Sequence, residues 1–176
     1  MKNFKEFNSV LTYSYYPYIK IYKKSYIYKK KKISNFHKII LKNAVMIICV
    51  KNKKILLTKE FRIGLKKYTW GLPGGFIDKN ENQLKSAKRE LLEETGLEAK
   101  KLHFLYNYTR NANYFCGKDY IFFTDNFKKK ERGEANIKKS WFSKKEIVEK
   151  IMKNKIETPG LVAALLIFFN KRHNFF

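Results

Sequence analysis

Gly75–Leu97, GFIDKNENQLKSAKRELLEETGL, is the stretch on which the fold and the chemistry turn. Its apolar residues Leu84, Ala87, Leu91 and Leu92 recur at helical spacing and define a stripe to be buried. Asn80 with Gln83 three residues later reads as a capping pair that starts the helix. Thr95-Gly96 ends it, with a glycine able to take the left-handed cap. Glu90, Glu93 and Glu94 stand at i, i+3 and i+4, so their carboxylates share a face. Like charges at that spacing repel unless a cation lies among them. A hard divalent cation is the natural partner, because it takes oxygen ligands and leaves room for substrate phosphates. Arg89, four residues before Glu93, is placed to pair with it. The plain alternative is a solvated amphipathic helix with its charges in water.

The spacing argues against that alternative. Gly75 is followed after five residues by Glu81 and after seven more by Arg89-Glu90-Leu91, then Glu93-Glu94 and Gly96-Leu97. The seven identities other than the two leucines coincide by chance less than about once in ten million windows at ordinary residue frequencies. Trp70-Gly71-Leu72-Pro73-Gly74-Gly75 precedes the helix as a strand end and tight loop, whose paired glycines admit close backbone approach. Written out in this way, the pattern resembles the Nudix hydrolase signature with every fixed position filled. The resemblance implies an α/β/α sandwich with a mixed central sheet. It also implies metal-dependent hydrolysis of a nucleoside diphosphate linked to another group. Glu90, Glu93 and Glu94, with the Gly74 carbonyl, would hold Mg²⁺ or Mn²⁺, and Arg89 would orient the carboxylates. Catalysis would fall to Glu90, Glu93, Arg89 and a late-loop glutamate. Glu131 and Glu134 are the candidates for that last role, and Glu134 is preferred because GEANIKKSWFSKKEI resembles the acidic loop, strand and helix entry of ADP-ribose pyrophosphatases.

The order of segments resembles ADP-ribose and nucleotide-sugar pyrophosphatases in particular. Lys59-Glu60-Phe61-Arg62 matches a segment that ends in an aromatic and an arginine, which assigns Arg62 to a phosphate or the distal ribose. Trp70, Tyr22 or Tyr28 would stack on a base, with core packing as the rival role. The β-rich region 1–43 resembles the added strands through which such enzymes dimerise, and 44–176 is the expected Nudix domain. Two features depart from that branch. No proline occurs in Asn111-Ala112-Asn113-Tyr114, where ADP-ribose enzymes carry one, and Tyr114 resembles instead a tyrosine of dinucleoside-polyphosphate hydrolases. Leu72-Pro73-Gly74-Gly75 also differs from their Leu-Pro-Ala-Gly. Nucleoside triphosphates, dinucleoside polyphosphates and capped or triphosphorylated RNA therefore remain alternative substrates. A non-catalytic module that senses a nucleotide and binds nucleic acid is an alternative of another class.

Composition bounds the rest. The 176 residues carry a net charge of +24, which attracts polyanions. Most of that charge is lysine spread along the chain, and bidentate phosphate readers are more often arginine, so compositional drift competes with a nucleic-acid role. No apolar run approaches the length of a membrane span, and the N-terminus shows no uninterrupted apolar segment of a signal peptide. Cys49 and Cys116 are isolated and suggest neither a disulfide framework nor a zinc site. A cytoplasmic protein, dimeric, with a nucleotide substrate and no membrane partner, is the expectation. Alternation predicts a β-ribbon over 13–33 and strands at 38–42, 44–50, 55–60, 101–109, 114–124 and 137–142. Loops are expected over 61–69 and 128–136, with helices over 144–153 and from Pro159 to Lys171.

Overall fold

The computed structural model describes residues 4–16, 18–114, 117–172 and 175. Two compact units are present, one of residues 1–43 and 109–119, the other of 44–108 and 120–176. The boundary at 43/44 read from the sequence leaves out residues 109–119, which belong with the first unit.

The first unit is a three-stranded antiparallel sheet of β1 (Phe4–Tyr15), β2 (Ile19–Tyr28) and β3 (Lys31–Leu41), in the order β1-β2-β3. Lys29 and Lys30 turn the second hairpin with positive φ, a conformation the primed hairpin turns require. Tyr26 is buried, with Phe4 at 4.9 Å and Phe36 at 5.6 Å between ring centroids. Residues 109–119 join through the Ile39 N–H donated to the Tyr114 carbonyl, and the Arg110–Asp119 ion pair at 2.6 Å ties the two ends of that segment together. β1 is exposed along its whole length.

The second unit is a three-layer sandwich. Its mixed sheet contains β4 (Ala44–Lys51), β5 (Lys54–Arg62), β6 (Lys67–Gly71), β8 (His103–Thr109), β9 (Lys118–Thr124) and β11 (Lys138–Ser143). The order is β11-β5-β4-β9-β8, and β6 adds to β5. A two-stranded sheet pairs β7 (Leu97–Ala99) with β10 (Phe127–Lys129). Helix α1 (Gln83–Thr95) covers one face of the main sheet; α2 (Lys144–Met152) and α3 (Pro159–Lys171) cover the other. Alternation along β4 divides the core: Val45, Ile47 and Cys49 meet Ala87 and Leu91 of α1, whereas Ile48 and Val50 meet Ile147, Leu165 and Phe168. Burial pushes the Cys49 thiol pKa up and keeps it protonated. Cys116 lies outside the described residues. Among the described residues no helix is long and apolar enough to cross a membrane.

Several boundaries differ from the sequence reading. The expected loop over 61–69 is the end of β5, a 3₁₀ turn at Ile63–Leu65 and the start of β6, which folds back with Arg62 opposite Lys67 and Thr58 opposite Gly71. Phe127–Lys129 is strand rather than loop, because β7 offers it a partner. The cap of α1 is Asn82, whose side chain accepts the Lys85 N–H at 2.8 Å, and not Asn80. Leu84 is 42% exposed, and the inner face is Ser86, Ala87, Leu91, Glu94 and Thr95. We expect Asn82→Ala to lower stability by about 1 kcal/mol in urea unfolding and Asn80→Ala to leave it within about 0.5 kcal/mol.

Candidate active site

Strands β4 and β5 part after their hairpin, where Val50 pairs with Ile55, and β6 takes the β5 edge over Thr58–Arg62. The chain then bridges back to β4. Val45 donates its N–H to the Gly75 carbonyl and Ile47 to the Pro73 carbonyl, both at 2.9 Å. A side chain at Gly74 would strike the Val45 carbonyl, and one at Gly75 would meet the Glu90 carboxylate. The two glycines are thus what lets the turn lie flat between strand and helix.

Against this turn stands Glu94, 8% exposed, with its Oε2 accepting the Gly74 N–H at 3.2 Å. Burial pushes its pKa up to about 8, helped by the charges of Glu60, Glu90 and Glu134 and opposed by the Gly74 hydrogen bond. Glu90 lies against the same turn, beside Gly75, and Glu90 and Glu93 are both held by Arg89. Arg89 Nη1 bonds Glu90 Oε1 at 2.8 Å and Glu93 Oε2 at 3.0 Å, while its Nε and Nη2 clasp Glu81 and Nη2 reaches the Phe76 carbonyl at 3.2 Å. That network raises the Arg89 pKa, chiefly through Glu81, and lowers that of Glu81. The Glu90 pKa is raised by burial against the pull of Arg89.

The three helix carboxylates are shared between two holders: Arg89 bonds Glu90 and Glu93, and the Gly74 amide bonds Glu94. One guanidinium with five donors bonds Glu81, Glu90 and Glu93 together while supplying a single positive charge, and Glu94 meets the turn beside Glu90. Among the described residues no three His, Cys, Asp or Glu side chains stand as a ready cage for an ion. The donor set nonetheless fits a hard divalent cation: its donors are all oxygen, and its buried member is disfavoured as an anion by three neighbouring carboxylates. Glu60 belongs to this group and was not selected from sequence. Its signal was strand alternation, because Leu56 faces α1 and residues 58, 60 and 62 follow on the same side.

The late loop is fixed to the far end of α1. Gly96 and Gly133, with φ of 75° and 70°, lie backbone to backbone, and a side chain on either would strike the other segment. Glu134 donates its N–H to the Glu93 carbonyl at 2.9 Å, and Lys139 Nζ donates to the Glu134 carbonyl at 2.7 Å. Glu131 donates its N–H to the Gly96 carbonyl; of the two loop glutamates, it is Glu134 whose charge acts on Glu94.

The remaining candidates disperse. Arg62 pairs with Glu60 at 2.5 Å on the α1 side. Trp70 faces the other way, opposite Lys59, and packs edge-on against Phe142 at 4.8 Å in the core beneath α2 and α3. That is the core-packing role which the sequence offered as the rival to base stacking. Tyr114, with Tyr22 and Tyr28, lies in the first unit and stacks on Phe36 at 5.7 Å.

The NUDIX domain profile matches residues 41–163, most of the chain. The chain belongs to the Nudix family. A curated relative, ADP compounds hydrolase NudE of Escherichia coli (strain K12), is 35% identical over 77 residues, 44% of this chain and 41% of that protein. The 8-oxo-dGTP diphosphatase of Buchnera aphidicola subsp. Schizaphis graminum (strain Sg) is 39% identical over 84 residues, 46% of this chain and 59% of that one. The matched stretches thus span less than two thirds of either relative. A crystal structure of an ADP compounds hydrolase shares the fold with a TM-score of 0.83, at 18% identity, over 98% of this chain and 95% of that one.

The buried glutamate makes this Nudix site sensitive to pH. A carboxyl whose folded pKa lies above its unfolded value costs stability as it ionises, so the metal-free protein should lose stability as pH rises from about 4.5 to about 8. The loss should reach at most about 5 kcal/mol. Thermal unfolding across that range should show Glu94→Gln flattening the slope, and Mg²⁺ should recover the loss at high pH.

Proposed function

We propose that this Nudix protein hydrolyses the pyrophosphate bond of a nucleoside diphosphate linked to another group, with ADP-ribose or a related ADP compound as substrate. The observation that carries the reading is the buried Glu94 carboxylate, held to the Gly74–Gly75 turn among Glu60, Glu90 and Glu134. A bound cation offsets the repulsion among these carboxylates, and phosphate chemistry is what such a cation serves. The similarity to an ADP compounds hydrolase supports the substrate class. Mg²⁺ is the proposed cofactor, with Mn²⁺ able to replace it.

Glu94, Glu90, Glu93 and the Gly74 carbonyl would hold the metal. When bound, the cation supplies Lewis-acid stabilisation of charge on the attacking and leaving oxygens. Arg89 keeps Glu90 and Glu93 in register through its two Nη1 hydrogen bonds. Glu134, exposed but tethered by its backbone, would take the proton of the attacking water. Arg62 would bind a phosphate through the guanidinium donors left free by Glu60.

Hydrolysis of a nucleoside triphosphate or dinucleoside polyphosphate is the second reading. The Trp70–Gly75 sequence and the similarity to an 8-oxo-dGTP diphosphatase favour it. We also propose that the protein is a homodimer joined through its N-terminal sheet. β1 exposes Phe4, Phe7, Val10, Leu11, Tyr13 and Tyr15 on a free edge, and large exposed apolar surfaces of this kind mark interaction sites.

Purified protein should release AMP from ADP-ribose in the presence of Mg²⁺, and Glu94→Gln should abolish that release while remaining folded. Near-normal turnover by Glu94→Gln would sink the metal assignment. Glu134→Gln should slow turnover by about a hundredfold, and Glu131→Gln should not. A preference for triphosphates would select the second reading. Silence across all substrates, with tight and salt-sensitive RNA binding, would favour the binding module.

A further inference from the structure

Strands β5 and β6 are joined by the 3₁₀ turn Ile63–Leu65, closed by the Lys66 N–H donated to the Ile63 carbonyl at 3.1 Å. Turns in water are ordinarily polar, as at Asn52-Lys53 between β4 and β5. This one is apolar and stands clear. Ile63 is 84% exposed, Leu65 is exposed, and a Cβ built on Gly64 would meet nothing within 4 Å. Phe61 and Tyr68, paired across the strands on the face away from α1, add two exposed rings 5.4 Å apart. Neither core cluster includes Phe61, Ile63, Leu65 or Tyr68. Apolar surface without a packing role marks an interaction site.

Behind the apolar end lies a collar of cations. Between Glu60 and Asp78 the chain has no acidic residue, and Arg62, Lys66 and Lys67 flank the turn. A groove of about 960 Å³ beside the hairpin is lined by Lys67, Tyr68, Lys153 and Lys155. Lys67 pairs with Glu157 at 2.7 Å and Lys153 with Glu149 at 4.0 Å, whereas Lys66 and Lys155 carry no ion pair among the described residues. Met152, 78% exposed, adds apolar surface next to Lys153.

We propose that the β5–β6 hairpin docks this protein on the surface of an anionic phospholipid bilayer, with Ile63 and Leu65 entering the headgroup layer and the lysines meeting lipid phosphates. A projecting apolar turn needs no complementary cavity in a bilayer, and lysines set behind it match the charge of the headgroups. Among the described residues no helix is long and apolar enough to cross a membrane, so the contact is interfacial. Apolar run length, which predicts no membrane partner here, does not detect a surface of this kind. Phe61 and Tyr68 face away from Glu60 and Arg62, so docking is independent of the candidate active site.

Net charge alone draws a chain of +24 to any anionic vesicle, and the test separates the hairpin from that bulk attraction. Binding is measured by sedimentation with sucrose-loaded phosphatidylcholine vesicles, with and without phosphatidylglycerol. The wild type should sediment only when phosphatidylglycerol is present. Ile63→Ser combined with Leu65→Ser leaves the charge unchanged and should weaken binding about tenfold, with the melting temperature retained. Lys66→Asn, which suits the left-handed backbone there, should weaken binding about fivefold. Lys88→Gln, an equal loss of charge on α1, should have little effect. Ile63→Trp should add fluorescence that brominated lipid tails quench. Undiminished binding by the double serine variant would overturn the proposal, and so would a wild type that does not sediment. If the serine variant instead loses self-association with vesicle binding unchanged, the hairpin contacts a second copy of the chain. If Lys66→Asn loses RNA binding and no vesicle binding, the surface serves nucleic acid. Either result replaces the lipid assignment.

Discussion

Three backbone groups tie the Gly74–Gly75 turn into place: the carbonyls of Pro73 and Gly75 accept from β4, and the Gly74 amide donates to Glu94. The placing of Glu90 and Glu94 depends on that tie. Because β4 and β5 separate beyond their hairpin, the sheet has an opening that only a chain without side chains can fill at this depth. Both glycines are required by contact, one with the Val45 backbone and the other with the Glu90 carboxylate. Once the turn is seated, α1 must lie close above it, and the carboxylates of α1 are brought under the low-dielectric edge of the sheet.

The electrostatics of the second unit follow from that closeness. Arg89 has donors enough for Glu81, Glu90 and Glu93, and it reaches the Phe76 carbonyl that leads out of the turn. Glu94 lies beyond its reach and keeps one amide as its partner, with Glu60 adding charge from β5. The surroundings of Glu94 are thus acidic inside a chain of net charge +24. These opposite signs suit an anionic substrate that approaches along a positive field and needs a cation at its destination. At the other end of α1, the contact between Gly96 and Gly133 clamps the late loop to the helix, so Glu134 hangs from a fixed backbone.

Much of the local structure was legible from residue order. The left-handed stop at Gly96, Pro159 at the start of α3 and the Arg89–Glu93 pair each involve groups a few residues apart. Short-range geometry leaves little choice in such cases. The choice of Asn82 over Asn80 as cap was not legible, since both offer the same side chain and only the path of the turn selects one. Exposure of Leu84 has a similar origin: the helix rolls so that Ser86 and Glu94, rather than Leu84, meet the sheet and turn.

By itself the sequence determined the Nudix membership, the helix that carries the carboxylates and the pair of glycines before it. These follow from spacings along one continuous stretch, where the chain's own covalent geometry sets what faces what. Only the tertiary structure decided which carboxylates gather. Arg89 holds Glu90 and Glu93, β5 brings in Glu60 from some thirty residues upstream, and strand register sends Trp70 to the opposite side of the sheet. Those outcomes depend on pairing between distant strands and on competition for a single guanidinium, and neither is written in any local window of the chain.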